Sequence, residues 1–404
     1  MMPPVLSILI PTRNRAQYVS HAIQSALKID SDAIEIIVSE NHGQDNGYEV
    51  CKGFKDHRLR VVRPESPLPM HENFELLLKL SAGQWVTFIG DDDAIMPHAL
   101  DHLNYLVAKH PQAEAIYSAR AYYFWKGMNE EYGPTCISFD FGTFEAWQDS
   151  KKQLNRTLNG EVDYIQLPQM YSGGFHRRSL LNRVLRSQQG VYFKSVTPDA
   201  YSALMACVHT YRYLETAVPM TWVGSSPHRA IASGQTHHKD REKDFLGMHS
   251  DDRLTFHQAI GPKPPINFRL FFFESYISAI PVAGSHYLSR ENVRRVFLDV
   301  SKSMKHAGVP ESDIEKFSQN LGFGANDSES LASKLLMAPR RIQFAVARAL
   351  RMKAAKLNGI AKKRKMKDVS TYSSSDYTAH PSILSADSLL SSAYERFKRT
   401  RGLR

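Results

Sequence analysis

The strongest constraint on this chain is an alternation. Four short apolar runs have strand length: Val5 to Ile10, Ile34 to Val38, Leu59 to Val62 and Trp85 to Ile89. The segments between them carry helical spacing. Val19, Ala22, Ile23, Ala26 and Leu27 recur at the three-and-four interval of one helix face. Further helices are expected near Tyr48 to Phe54, through Phe74 and Leu80, and from Pro97 to Lys109. Strand, helix, strand in repetition implies parallel strands joined by right-handed crossovers, an α/β fold. Sheets of this kind bind ligands beyond the carboxyl ends of their strands. Pro11, Thr12, Arg13, Glu40 and Asp91 to Asp93 all lie at such ends, so they are expected to meet in space.

The rest of the chain is less regular. Ala115 to Trp125 is aromatic and strand-like, and residues 126–165 read as loops. Gln166 to Arg177 contains a Gly turn with basic residues at its end, and Asn73 and Phe74 precede the helix before the aspartates, where they serve capping and core roles or else line a ligand pocket. Pro198 and Asp199 open a helix that runs to Val208, and Thr216 to Val223 reads as a strand. Helical patterns resume over Phe268 to Ile280, Asn292 to Met304 and from Ser312. These shifts suggest three parts: 1–240, a helical region 241–338, and a C-terminal 339–404. Its Ser-rich stretch, Tyr372 to Ser392, reads as poorly ordered.

Composition narrows the setting. Three cysteines in 404 residues form no CxxC pair, which fits a reducing cytoplasm rather than a disulfide framework. The N-terminus lacks the features of a signal peptide, and no apolar run approaches the ~20 residues of a membrane span. The net charge of +10 is concentrated. Arg340 to Lys367 holds eleven Lys or Arg and no acid, and subtracting eleven leaves the remainder at −1. Ile342, Val346, Leu350 and Leu357 share a helical face in this basic run, which points to an anionic membrane surface on the cytoplasmic side. A solvated helix and a nonspecific nucleic-acid tail are the alternatives; the near-neutral body and the lack of a nucleic-acid motif count against the latter.

The chemistry-bearing feature is GDDDAIMP, Gly90 to Pro97. Adjacent carboxylates repel and raise one another's pKa unless a cation lies between them. Either Asp92 or Asp93 caps the helix that follows, or the cluster holds a hard divalent ion, Mg²⁺ or Mn²⁺, completed by phosphate oxygens. Asp199 in a helix first turn is favourable to the macrodipole in any case, or it serves as a base.

Taken together and in order, SILIPTRNRAQYVSHAIQSAL (Ser7 to Leu27), IEIIVSENHGQDNG (Ile34 to Gly47), AGQWVTFIGDDDAIMP (Ala82 to Pro97) and Pro198-Asp199 resemble a family 2 glycosyltransferase. The resemblance covers roughly the first 230 residues. It implies a GT-A fold, a Rossmann-like, mostly parallel sheet flanked by helices, followed here by a helical C-terminal region. It implies an inverting, metal-dependent transfer from a nucleotide-diphospho-sugar to a hydroxyl of a glycan or lipid-linked acceptor, as in surface polysaccharide synthesis. Pro11, Thr12 and Arg13 match the loop that holds the donor nucleotide. Glu40 stands where the family has an Asp that binds the base, and Asp45 matches an acid that orders the same loop. Asp91 aligns with donor binding and Asp92 with the metal, with Asp93 either a second ligand or a turn cap. Asp199 matches the general base. After the last strand, His228 is a candidate metal ligand and Arg229 a candidate diphosphate contact. His237 and His238 lie nearby, with exposed loop histidines as the alternative reading; Arg177 and Arg178 are phosphate candidates. A noncatalytic nucleotide-sugar or glycan-binding protein on the same fold is the competing reading.

Overall fold

The structure is a computed structural model that describes residues 3–128, 134–159, 161–227, 257–261, 264–265, 267–283, 289–323 and 370–402. Strands β1 (Leu6–Thr12), β2 (Ile34–Glu40), β3 (Leu59–Val62) and β4 (Trp85–Phe88) pair in parallel in the spatial order β3-β2-β1-β4. Their continuous apolar runs are those of a sheet covered on both faces. Successive strand residues point to opposite faces. Ile8, Ile10, Ile36 and Val38 therefore pack with Val19, Ala22, Ile23 and Ala26 of α1 (Ala16–Leu27). Leu9, Ile37, Val86 and Phe88 meet Phe74, Leu77 and Leu78 of α3 (Met70–Leu80) on the other side. A short α2 (Gly47–Gly53) joins β2 to β3.

Beyond β4 the chain forms β5 (Ala94–Ile95), α4 (Ala99–Lys109), β6 (Ala115–Ser118), β7 (Ala121–Phe124), β8 (Ile137–Phe141), β9 (Glu145–Asp149) and α5 (Ser150–Leu158). It continues through β10 (Gly174–Arg177), α6 (Arg178–Ser187), α7 (Pro198–His209), β11 (Arg212–Thr216) and β12 (Thr221–Ser225). The main sheet runs β3-β2-β1-β4-β10-β6-β11-β9, with β10 antiparallel to both neighbours and β9 antiparallel to β11. The aromatic stretch expected as one strand is two, β6 in the main sheet and β7 in a second one. Thr216 to Val223 likewise spans the end of β11 and the start of β12, broken around Pro219, which has no N–H to offer a ladder. Part of the expected loop 126–165 is ordered as β8, β9 and α5. Ile137, Phe139 and Phe141 alternate inward, and the Asp149 carboxylate caps α5 by accepting from Lys152 N at 2.7 Å.

Helices α8 (Phe268–Ala283), α9 (Arg290–His306) and α10 (Glu311–Asn320) form the helical region, and Phe273, Ile277 and Phe297 belong to the same apolar cluster as Phe88 and Leu204. The C-terminus corrects the expectation of a poorly ordered 372–392. β13 (Ser370–Ser374) pairs antiparallel with β8, and α11 (Asp387–Arg401) buries Leu390, Tyr394 and Phe397. The Tyr394 ring stacks on His98 at 4.1 Å. The buried Asp387 carboxylate accepts from Lys28 Nζ at 2.8 Å and Trp222 Nε1 at 3.0 Å. A Ser-rich composition concealed an apolar helix stripe that the N-terminal half covers. The basic run 340–367 lies outside the described residues. Among the described residues no helix is long and apolar enough to cross a membrane.

Phe397 packs beside His102 and Tyr105 of α4. Phe397→Ala is expected to destabilise the N-terminal half by about 3–5 kcal/mol, the usual range for a buried aromatic truncation. Thermal unfolding followed by near-ultraviolet circular dichroism checks this; an unchanged midpoint would show that α11 is not part of that cooperative unit.

Candidate active site

The strip Met170 to Ser172 lies against the end of β4: Phe88 N donates to Met170 O and Ser172 N to Phe88 O. Gly90 follows, and its missing side chain matters. A Cβ there would lie 2.5 Å from Tyr171 Oη, 3.1 Å from Asp93 Oδ2 and 3.3 Å from Asp92 Oδ1. At Gly224 on β12 a Cβ would fall 1.7 Å from the Asp92 carbonyl oxygen. Two glycines thus let the aspartate turn press between two sheets.

All three aspartates are buried, and each is neutralised differently. Asp91 accepts from Thr12 Oγ1 at 2.9 Å and faces Arg15 Nε at 2.8 Å. Asp92 Oδ2 meets Arg15 Nη2 at 2.5 Å and accepts from Ser226 Oγ at 2.6 Å, while Arg15 Nη2 also donates to Ser226 Oγ. Asp93 takes the Ser172 hydroxyl and Gly90 N on Oδ2, and Gly224 N on Oδ1. Burial pushes the Asp91 and Asp93 carboxyls upward, with Asp92 adding to both shifts. Burial alone would lower the Arg15 guanidinium, but Asp91 and Asp92 outweigh it and hold it above its usual value. Ser172 sits at φ +37°, a strained position for a side-chain-bearing residue, and it is the one that reaches Asp93.

A divalent cation fits part of this cluster. Asp92 Oδ1 accepts no hydrogen bond among the described residues and faces the Gly90 cradle with the Tyr171 hydroxyl. An all-oxygen donor set of this kind suits a hard ion, which needs only one or two carboxylates when a diphosphate supplies the rest. Asp93 is the more committed acid: both of its oxygens take protein donors, which anchor the turn. No group of three or more His, Cys, Asp or Glu side chains among the described residues forms a preassembled metal cage.

The second strand end is built differently. Glu40 is 1% exposed; Oε1 accepts from Gly43 N at 2.6 Å, and Oε2 pairs with Arg63 Nε at 3.1 Å. Asp45 accepts from Gly47 N and from Ala16 N in the first turn of α1, so it ties this loop to the one bearing Pro11 to Arg15.

Asp199 lies in the first turn of α7. Its Oδ2 accepts from Tyr164 Oη at 3.0 Å, and Phe272 of α8 stacks on the Tyr164 ring at 4.9 Å. Burial raises the Asp199 carboxyl, while the Ala200 N–H, Tyr164 and Arg120 pull it down; the net direction is up. Tyr171 feels the charge of both this acid and the triad. Burial raises its hydroxyl far above the usual phenol value, and Asp93, Asp92, Asp199 and Asp91 all add to the shift. Met170 N, one residue earlier, donates to Ser202 Oγ on α7.

Residues 7–171 match the family profile described as Glycosyl transferase family 2. That N-terminal stretch is similar to the family 2 glycosyltransferases. Curated relatives include Glycosyltransferase GlyG of Streptococcus pneumoniae, 25% identical over 25% of this chain and 35% of that protein. Another is the GalNAc(5)-diNAcBac-PP-undecaprenol beta-1,3-glucosyltransferase of Campylobacter jejuni, 31% identical over 25% of this chain and 33% of that protein. The chain thus spans about a third of the length of these relatives. Among solved structures, S. aureus TarS 1-349 in complex with UDP-GlcNAc is similar at 14% identity and TM-score 0.43, over 80% of this chain and 93% of that one.

The expected residues meet only in part. Thr12, Asp91 and Asp92 converge, and Asp199 bears with Asp91 and Asp92 on the Tyr171 hydroxyl. Arg177 and Arg178 do not. Arg177 Nη1 donates to Pro111 O, and Arg178 holds Gly83 O and Ser81 Oγ near the start of β4, away from the aspartates. Asn73 accepts from Ser39 Oγ, and Phe74 stacks on Phe88, both interior roles. His228, Arg229, His237 and His238 lie outside the described residues. Sequence reading missed Arg15, Ser226, Tyr171, Ser172 and Tyr164. Only Arg15 had a visible signal, a cation one turn past a strand end in PTRNR.

Gly224→Ala is expected to push Asp92 and Asp93 out of place. Circular dichroism should show a retained fold with a lowered melting midpoint. A variant that melts like the parent would remove the close-approach argument.

Proposed function

We propose that the chain is an inverting glycosyltransferase that moves a sugar from a nucleotide-diphospho-sugar to an acceptor hydroxyl. The observation that carries this reading is a buried Asp199 whose carboxyl is raised by burial, hydrogen-bonded to Tyr164 and near enough to bear on the Tyr171 hydroxyl together with Asp91 and Asp92. A noncatalytic binder would have no use for a buried, raised carboxylate beside the aspartate cluster.

Thr12, with Pro11 and Arg13 beside it, and Asp91 line the strand end where the donor would lie, and Glu40 shapes the neighbouring loop. Asp92, supported by Asp91, would hold a divalent ion, which when bound supplies positive charge to the departing diphosphate. Asp199 Oδ accepts the proton of the attacking hydroxyl, and Tyr164 fixes the orientation of that carboxylate. Burial keeps Tyr164 protonated, so it donates rather than competes for the proton. A single displacement at the anomeric carbon inverts configuration. The Campylobacter relative is named for a lipid-linked acceptor, and the same acceptor class here would give the basic run 340–367 an anionic surface to contact. Co-sedimentation with vesicles containing anionic lipid, weakened by salt, checks that contact; equal binding to neutral vesicles counts against it.

A panel of nucleotide-sugars tested for thermal stabilisation with and without Mn²⁺ identifies the donor, since ligand binding raises the melting midpoint by mass action. Asp92→Asn should abolish transfer while leaving the fold. Asp199→Asn should keep donor binding and lower kcat by about 10²–10⁴-fold, the usual worth of a general base. Full turnover in either variant would reassign that residue.

The acid limb of kcat should lie above the ordinary Asp value near about 3.9, because burial raises Asp199 and only the ionised form accepts a proton. The Tyr164 hydrogen bond favours the charged form, so Tyr164→Phe should move that limb to higher pH. A limb that stays in place would separate Tyr164 from the base.

A further inference from the structure

The guanidinium of Arg15 stands where the charge of a metal ion would be needed. Its Nε is 2.8 Å from Asp91 Oδ1 and its Nη2 is 2.5 Å from Asp92 Oδ2, so one planar fork bridges both carboxylates. Ser226 closes the clamp: it accepts from Arg15 Nη2 at 2.7 Å and donates to Asp92 Oδ2 at 2.6 Å. The Arg15 side chain is 12% exposed and lies over the Tyr18 ring at 5.4 Å, and Tyr18 in turn packs edge-on against Trp125. Trp125 Nε1 donates to the carbonyl of Asp92. The guanidinium is therefore held by a second aromatic layer that also touches the aspartate turn.

Two cations cannot both take the full charge of Asp92 at hydrogen-bond distance without repelling each other. A diphosphate offers Arg15 an equivalent bidentate partner, since a planar guanidinium fork matches phosphate as well as carboxylate. The geometry points to Arg15 as a displaceable counter-ion: it occupies Asp91 and Asp92 in the donor-free protein and leaves Asp92 when a metal-bound diphosphate arrives. Metal and diphosphate then bind as coupled ligands, each improving the site for the other. The same clamp keeps the buried acids neutralised between turnovers. This rests on the glycosyltransferase reading for the diphosphate alone; the occupancy of Asp92 by Arg15 stands apart from it.

The test uses the full chain and Mn²⁺, counted by loss of the free-ion electron paramagnetic resonance signal, with no sugar donor present. The parent protein should bind Mn²⁺ weakly, and added UDP or GDP should tighten it at least tenfold. Arg15→Met should bind Mn²⁺ alone at least tenfold more tightly than the parent, with the nucleotide gain cut to threefold or less. Ser226→Ala and Arg15→Lys keep every charge but loosen the clamp, and both should also bind Mn²⁺ alone more tightly than the parent. Asp92→Asn in the Arg15→Met background should lose the gain. Circular dichroism confirms that each variant is folded, and Ser226→Ala, a loop position, serves if Arg15→Met is not. Unchanged Mn²⁺ affinity in Ser226→Ala and Arg15→Lys would reduce Arg15 to a distant charge and overturn the clamp. Absence of Mn²⁺ binding in every variant, with and without nucleotide, would overturn it equally. Failure of the transfer reading would appear instead as no donor stabilisation and no turnover, with the Mn²⁺ titrations unaffected.

Discussion

Three buried carboxylates in sequence are tolerable only if each finds its own compensation, and most of the local architecture follows from that. Asp93 is satisfied by two backbone N–H groups and a hydroxyl, and this requires β12 to approach closely enough for Gly224 to donate. Asp91 and Asp92 are satisfied by Arg15, and this requires the loop after β1 to fold over the end of β4. The parallel register of β1 with β4 brings Thr12 to the same edge. A lone buried charge in this place would be costly, so the elements that supply partners are held together by the acids they serve.

The same turn joins the two sheets. β5, which continues from the aspartates, pairs with β12 in the second sheet, and β12 leads to Ser226. That sheet also takes in β13, and α11 covers its other elements through Asp387, Tyr394 and Phe397. The C-terminal segment is thus a buttress for the sheet that positions Ser226 and Gly224. On the opposite side, α8 supports Tyr164 through Phe272, and its Glu274 accepts from Ser195 Oγ just before α7. Burial raises the Glu274 carboxyl to about 7. The helical region therefore reaches the proposed base through two contacts.

The sequence made the parallel half of the main sheet legible because its strands are buried on both faces and its helices are amphipathic. Val5 to Ile10 and Val19 to Leu27 each carry one period with no competing signal. The antiparallel strands were not legible. β10 is Gly174 to Arg177, four residues with one large apolar side chain, and its pairing depends on partners far along the chain. β13 is made of Ser, Thr and Tyr, so composition pointed to disorder while the ladder with β8 and the aromatic contact of Tyr372 with Phe139 decide its state.

The candidate site shows the same division in finer form. Motif spacing places acids at strand ends, but it does not say which acid is already committed to the fold. Asp91, Asp92 and Asp93 are chemically identical in sequence. They differ only because Gly224, Ser172, Gly90, Thr12, Ser226 and Arg15 reach them from four separate segments. Asp93 receives fixed backbone donors, which do not leave. Asp91 and Asp92 receive an arginine side chain, which the proposed exchange would move. The distinction between a structural carboxylate and one open to exchange therefore lies in whether backbone or a side chain holds it, and that is a property of the fold rather than of the motif.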